Sequence, residues 1–210
     1  MLKRVLSLGF AVLAVGISAF AGTDEKNPIA PPAPTVYDPL DHWEFDLESG
    51  ALWRFEHNGT PLNYVFLPQM LTIKTPAVLR QDFKGGSSIA IRSRFSILLE
   101  SIIEGPESYF FGVSGSGILE WWNAPRTFSL FFSSGGGVGW LDSKGYEVEG
   151  GQGQDFNFNW FVYTGARVMV AEKVSVGLGA YYQHISNKDQ DKVNPGVDAL
   201  GPMLSIGWHF

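Results

Sequence analysis

From Asp41 to Phe210 the chain alternates apolar and polar residues through eight separate stretches, and after Ala21 it contains no long uninterrupted apolar run. A helix that spans a membrane needs roughly 20 consecutive apolar residues, whereas a spanning strand needs about 10 that alternate. In a strand, successive side chains point to opposite faces, so a period of two gives each segment one apolar and one polar side. The 25 glycines are scattered through the same segments, among many β-branched and aromatic residues, and both features disfavour helix. The expected fold is all-β: an eight-stranded antiparallel transmembrane β-barrel of the outer membrane, with apolar residues facing lipid and polar residues facing the lumen.

The first strand shows the pattern in miniature. Trp43, Phe45, Leu47, Ala51, Trp53 and Phe55 share one face, and Glu44, Asp46, Glu48, Arg54 and Glu56 share the other. Further strands are expected over about 63–74, 88–101, 108–122, 127–140, 154–168, 174–187 and 196–210. Pro68 should bulge or break the second of them. The connections at 123–126 and 169–173 are tight while 141–153 is long and polar, which suits a barrel with short turns on one rim and longer loops on the other. The stretch 75–87 is too long for a short turn and is expected to hold a brief helix. Trp43, Trp53, Trp121, Trp122, Trp140 and Trp208 lie near strand ends, where interfacial girdles form.

A soluble sandwich or lipocalin-like barrel would also alternate, with its apolar face turned inward. The amino terminus and the last residue favour the membrane version. Lys3 and Arg4, an apolar stretch from Val5 to Ile17 and Ala19-Phe20-Ala21 form a signal peptide with its cleavage site, over residues 1–21. A terminal Phe210 on the last strand resembles the sorting signal of bacterial outer-membrane barrels. Residues 22–40 are Pro-rich and aperiodic and read as an extended periplasmic tail, leaving 41–210 for the barrel.

The formal net charge of −6 becomes more negative once Lys3 and Arg4 are set aside, so nucleic acid is not an expected partner. The absence of Cys excludes a disulfide framework, thiolate chemistry and a lipoprotein anchor. His42, His57 and His209 show no metal spacing, and no cofactor or metal is expected. Arg54, Arg92, Arg94, Glu44, Glu48, Glu100 and Glu120 are expected to fill a closed lumen as paired charges, since eight strands leave room only for side chains. Gly135, Gly136, Gly137 and Gly139 read as close strand packing, and Gln152, Gln154 and Asp155 as a solvated loop.

Against this frame, three polar residues stand out on the lipid side. His184 and Ser186 continue the stripe of Val174, Val176, Leu178, Ala180 and Tyr182, and Asp198 shares a stripe with Leu200, Leu204, Ile206, Trp208 and Phe210. Polar groups on a membrane-facing stripe are costly, which points to function. If the intervening loop centres near Asp191, antiparallel pairing sets His184 opposite Asp198, with Cβ atoms about 4.5–5.5 Å apart. Ser186 lies two residues on, a rise of about 6.6 Å that a leaning imidazole can span. Acid, imidazole and hydroxyl are then arranged as orienter, base and nucleophile of an ester hydrolase whose substrate lives in the bilayer.

His184-Ile185-Ser186-Asn187, then Asn194-Pro195-Gly196 and Asp198, closing on Gly207-Trp208-His209-Phe210, resembles the PagL-type outer-membrane lipid A deacylases, also called acyloxyacyl hydrolases. The resemblance is strong over 174–210 and weak over most of the remaining mature chain. It implies removal of an ester-linked acyl chain, typically the 3-O-linked one, from lipid A of lipopolysaccharide in the outer leaflet. It also implies Ser186 as nucleophile, His184 as general base and acid, Asp198 as orienting carboxylate, and Asn187 and Asn194 as candidates for oxyanion stabilisation. The best-known family members carry Glu where this chain has Asp198, so the shorter arm calls for a closer backbone or a bridging water. Another outer-membrane esterase such as a phospholipase is the alternative enzyme, and a non-catalytic structural barrel the alternative from another class. The sequence leaves homodimer formation open.

Overall fold

The computed structural model describes residues 37–55 and 59–210, all of which belong to the compact unit Val36–Phe210. The expected signal peptide, the expected tail as far as residue 36, and Glu56 and His57 lie outside the described residues. Among the described residues ten strands are formed: β1 (Glu44–Gly50), β2 (Leu52–Arg54), β3 (Val65–Lys74), β4 (Leu79–Asp82), β5 (Ser88–Glu104), β6 (Tyr109–Trp122), β7 (Phe128–Leu141), β8 (Phe156–Ala171), β9 (Val174–Ser186) and β10 (Val197–His209). β1 and β2 are one wall strand interrupted at Ala51, and β4 is a short strip beside β5, so the wall has eight strands. All neighbours are antiparallel, and pairing of β1 with β10 from Glu44↔His209 to Gly50↔Met203 closes the barrel.

Proline chemistry accounts for the interruption at Ala51. The registers on either side set Gly50 across from Pro68 and Ala51 across from Pro202, and a proline has no N–H to give to the ladder. Pro68 itself neither bulges nor breaks its strand. The register shift between β3 and β5 falls at Val65/Phe66 instead, where the ladder meets the rim. The stretch 75–87 holds β4 and not a helix. β5 extends beyond Arg94, where its pairing with β3 ends, and β4 occupies the exposed edge from Ile91 to Ser88.

Alternation sorts the side chains as the sequence demands. Phe45, Leu47, Ile97, Leu130, Leu178 and Leu204 are among a continuous belt of outward apolar residues. A surface of that extent is unfavourable in water and favourable in hydrocarbon. Trp122 departs from the expected girdle: the tandem pair at 121–122 must split between faces, so Trp121 points outward while Trp122 is buried and donates through Nε1 to Glu120 at 2.9 Å.

Two layers fill the lumen. Toward the rim of short turns lies an ion cluster, in which Glu44 meets Arg92 at 2.6 Å and Lys74 at 3.2 Å, while Arg167 meets Glu120 at 2.9 Å. Arg94 pairs with Glu48 just above it. Toward the rim of long loops the filling is apolar and aromatic, with Leu52, Phe66, Phe110, Phe161 and Tyr181 all buried. Two of the expected lumen charges depart from pairing: Arg54 reaches the loop rim, half-exposed, and donates to the Pro61 carbonyl at 3.4 Å, and Glu100 is buried with no ion pair among the described residues, its carboxylate accepting instead from Gln183 Nε2 at 2.7 Å.

At the short-turn rim the last residues before β1 are ordered. Pro39–Asp41 form a 3-10 turn that buries Leu40 against Ala90 and Trp122, and Asp38 bridges Arg80 at 2.8 Å and Arg126 at 2.9 Å. Close packing of β7 on β6 explains the glycine run, because a Cβ at Gly137 would overlap the Val113 carbonyl.

Candidate active site

β9 and β10 run side by side without a break from Val174↔Trp208 to Ile185↔Val197, which sets Asp198 directly across from His184. The inward neighbours Gln183, Ile185, Asn187, Val197 and Ala199 are buried, so by alternation His184, Ser186 and Asp198 face outward. They stand at the end of the lipid-facing wall nearest the long loops. His184 Nδ1 lies 2.7 Å from Asp198 Oδ1, and His184 Nε2 lies 3.0 Å from Ser186 Oγ. The direct register supplies the close backbone that the short aspartate arm requires, with no water needed in between.

A proton on Nδ1, donated to Asp198, leaves the Nε2 lone pair free to accept the Ser186 hydroxyl proton. The side chains are 28 % exposed for His184 and 12 % for Asp198, so the pair is shielded yet reachable from the lipid side. Gly196 makes room for the imidazole. It adopts φ +67°, and a Cβ there would come within 3.2 Å of His184 Cε1.

Asn187 and Asn194 both belong to the 187–196 loop beside Ser186, but they are turned toward one another. The Asn187 N–H donates to Asn194 Oδ1 at 2.9 Å, Asn187 Nδ2 donates to the Val193 carbonyl at 3.0 Å, and Asn194 Nδ2 donates to Asp189 at 2.9 Å. Asn187 is fully buried, whereas Asn194 is half-exposed at the mouth. Lys188 and Asp189 follow with φ +54° and +60°, which curls the loop back over the end of β9. Lys188 Nζ sits 4.5 Å above the Phe158 ring, and Phe158 pairs with Ser186 across β8 and β9.

Two neighbours were not singled out by the sequence. Tyr182 donates its phenol to Asp198 Oδ1 at 2.6 Å, and Trp160, across from His184 on β8, packs its ring 5.9 Å from the imidazole and 5.0 Å from Tyr182. Tyr182 was legible as a member of the His184 stripe. Its hydrogen bond was not, because it depends on the diagonal reach across two strands.

The neighbouring loops dock onto 187–196. Tyr146 donates to Asp191 at 2.9 Å, the Gly153 N–H to the Val193 carbonyl at 3.2 Å, and the Thr60 N–H to the Gly196 carbonyl at 3.0 Å. Gln152 is buried in this cap and not solvated, with its N–H on Glu107 at 2.7 Å. Asp155 is held below the usual carboxylate range by the Ser143 hydroxyl at 2.6 Å and the Ser143 N–H at 3.0 Å. For Asp142, burial opposes ionisation, but the N–H groups of Ser108 at 2.7 Å and Tyr109 at 3.3 Å outweigh it and also lower its pKa.

The family model for lipid A 3-O-deacylase (PagL) matches residues 70–207, about two thirds of the chain, including His184, Ser186 and Asp198. The chain belongs to this family. Among solved structures, the crystal structure of the outer membrane enzyme PagL is 14 % identical, covering 77 % of this chain and 97 % of that one, with a TM-score of 0.49. The outer membrane protein OprG from Pseudomonas aeruginosa is 9 % identical, covering 84 % of this chain and 99 % of that one, with a TM-score of 0.40. No curated protein matches the chain significantly.

Proposed function

We propose that this chain is a serine esterase of the bacterial outer membrane that removes an ester-linked acyl chain, the 3-O-linked one, from lipid A of lipopolysaccharide. The observation that carries this reading is the continuous chain from Asp198 through His184 to Ser186, at 2.7 and 3.0 Å, on the lipid-facing side of a lipid A 3-O-deacylase family member. An outward orientation suits a substrate whose acyl chains lie in the same leaflet as the site.

Ser186 Oγ attacks the ester carbonyl while His184 Nε2 takes its proton, and Asp198 holds the imidazole in the required tautomer and stabilises the imidazolium that forms. The tetrahedral oxyanion is met by the Asn194 or Asn187 amide or by a neighbouring backbone N–H, after a local shift of the 187–196 loop. Such donors commonly contribute a few kcal/mol. As the intermediate collapses the bond to the sugar oxygen breaks, the imidazolium protonates that oxygen to give the sugar hydroxyl, and the acyl group stays on Ser186. Water from the loop rim, deprotonated by His184, releases the fatty acid. Export through a signal peptide cleaved after Ala21, with the Pro-rich tail 22–40 in the periplasm, belongs to the same reading.

The test is mass spectrometry of lipid A from cells overproducing the wild-type chain or Ser186→Ala. Loss of one hydroxyacyl mass from lipid A with the wild type alone is the expected result. Unchanged lipid A accompanied by lysophospholipid would instead make the chain a phospholipase, and identical lipid profiles from both strains would end the serine esterase reading.

A further inference from the structure

Asp198 Oδ1 takes two hydrogen bonds, one from His184 and a second from a residue outside the acid, imidazole and hydroxyl set. We infer that Tyr182 is a positioning residue of this site, whose phenol pins the Asp198 carboxylate in the rotamer that orients His184. The inference rests on the esterase reading above. Tyr182 lies two residues before His184 on the same outward face, and its own cross-strand partner is Leu200. The phenol reaches diagonally across to Asp198, a separation that a long aromatic side chain can bridge and a short one cannot. It donates at 2.6 Å to the same oxygen that meets His184 Nδ1 at 2.7 Å.

The second donor matters because of where the carboxylate sits. Asp198 begins the lipid-facing stripe of β10, followed outward by Leu200 and flanked across the sheet by Trp160. Held by one hydrogen bond, an anion at an apolar surface gains by swinging toward rim water. A charge-assisted bond from a phenol removes that incentive and fixes the oxygen lone pairs. Tyr182 is itself held in place, with Trp160 at 5.0 Å and the Phe55 ring edge-on at 6.5 Å. The phenol has no route to the Ser186 hydroxyl except through Asp198 and His184, so its effect belongs on turnover and not on substrate affinity.

The experiment uses the full chain refolded in detergent micelles with lipid A as substrate, barrel folding being checked by heat-modifiable gel migration. Tyr182→Phe removes one hydroxyl and keeps the ring. The expected result is a fall in kcat of roughly ten- to hundredfold, the scale of a hydrogen bond to a charged group, with KM nearly unchanged. Wild-type kcat in the folded variant, or a rise in KM alone, overturns the inference. A second measurement needs no turnover: in the Ser186→Ala background the His184 Nδ1 proton should give a far-downfield NMR signal that weakens or shifts upfield on adding Tyr182→Phe. An unchanged signal also overturns it. Ser186→Ala itself separates the two readings. Retained activity there sinks the esterase site as a whole, while an inactive Ser186→Ala beside a fully active Tyr182→Phe sinks only the role of the tyrosine.

Discussion

Asp198 is a carboxylate on a face built for hydrocarbon, and its neighbours explain why it is tolerated: two donors converge on one oxygen and only 12 % of the side chain is exposed. Under the proposed mechanism Ser186→Ala should lower lipid A deacylation by at least about a thousandfold, while the thermal or urea midpoint of the barrel stays within error, since a half-exposed hydroxyl contributes little to packing. Turnover and unfolding measured on one preparation check both halves. Gly196→Ala addresses the imidazole from behind. The added methyl meets His184 Cε1 at 3.2 Å and forces a left-handed φ on alanine, at a cost of about 1 kcal/mol. Activity should fall about tenfold or more with the barrel still folded. A Gly196→Ala enzyme with wild-type kcat would show that the imidazole has slack on that side.

At the scale of elements, the 142–155 connection is a docked cap and not a free loop. Its contacts with Asp191 and Val193 tie it to the segment that follows Ser186. The carboxylates of Asp142 and Asp155 organise its two ends, and both have folded pKa values lowered relative to free carboxylates. A depressed pKa contributes stability that is complete above the unfolded value and is lost as pH falls through the folded one. The cap should therefore resist limited proteolysis between neutral pH and about pH 5 and become cleavable near residues 143–153 only below about pH 4. Cleavage that is equally fast at pH 7 would mean that these hydrogen bonds do not hold the cap. The strip β4 belongs to the same scale: its position follows from the unpaired edge of a long neighbour, which local sequence does not record.

For the whole molecule, closure removes sheet edges and leaves the lumen to be filled by side chains. This chain fills half of it with ions. Arg92, Arg167, Lys74, Glu44 and Glu120 have been taken out of water together, so the arrangement is favourable only as a set. Removing Arg92 strands the Glu44 carboxylate it meets at 2.6 Å, and Arg92→Ala should destabilise the barrel by about 3–5 kcal/mol in urea titrations in lipid vesicles. Replacing Arg92 and Glu44 together by apolar residues of similar volume should recover part of that loss. Because the ion cluster lies toward the opposite rim from Ser186, kcat of either folded variant should stay close to wild type.

What the sequence determined by itself was everything carried by the period of two: eight wall strands, which residues of each face lipid, and the stripe that brings His184, Ser186 and Asp198 to one side. Alternation is a local property of the backbone, so the order of residues suffices to read it. The tertiary structure decided whatever depends on two distant segments meeting. Gln152 is buried within the docked cap, Arg54 stops at the rim, and Tyr182 reaches Asp198 only because β9 and β10 settle into one register. The side on which a strand residue falls is fixed by its parity. The atom it touches is fixed by the register of its neighbour, and register is a property of the closed sheet as a whole.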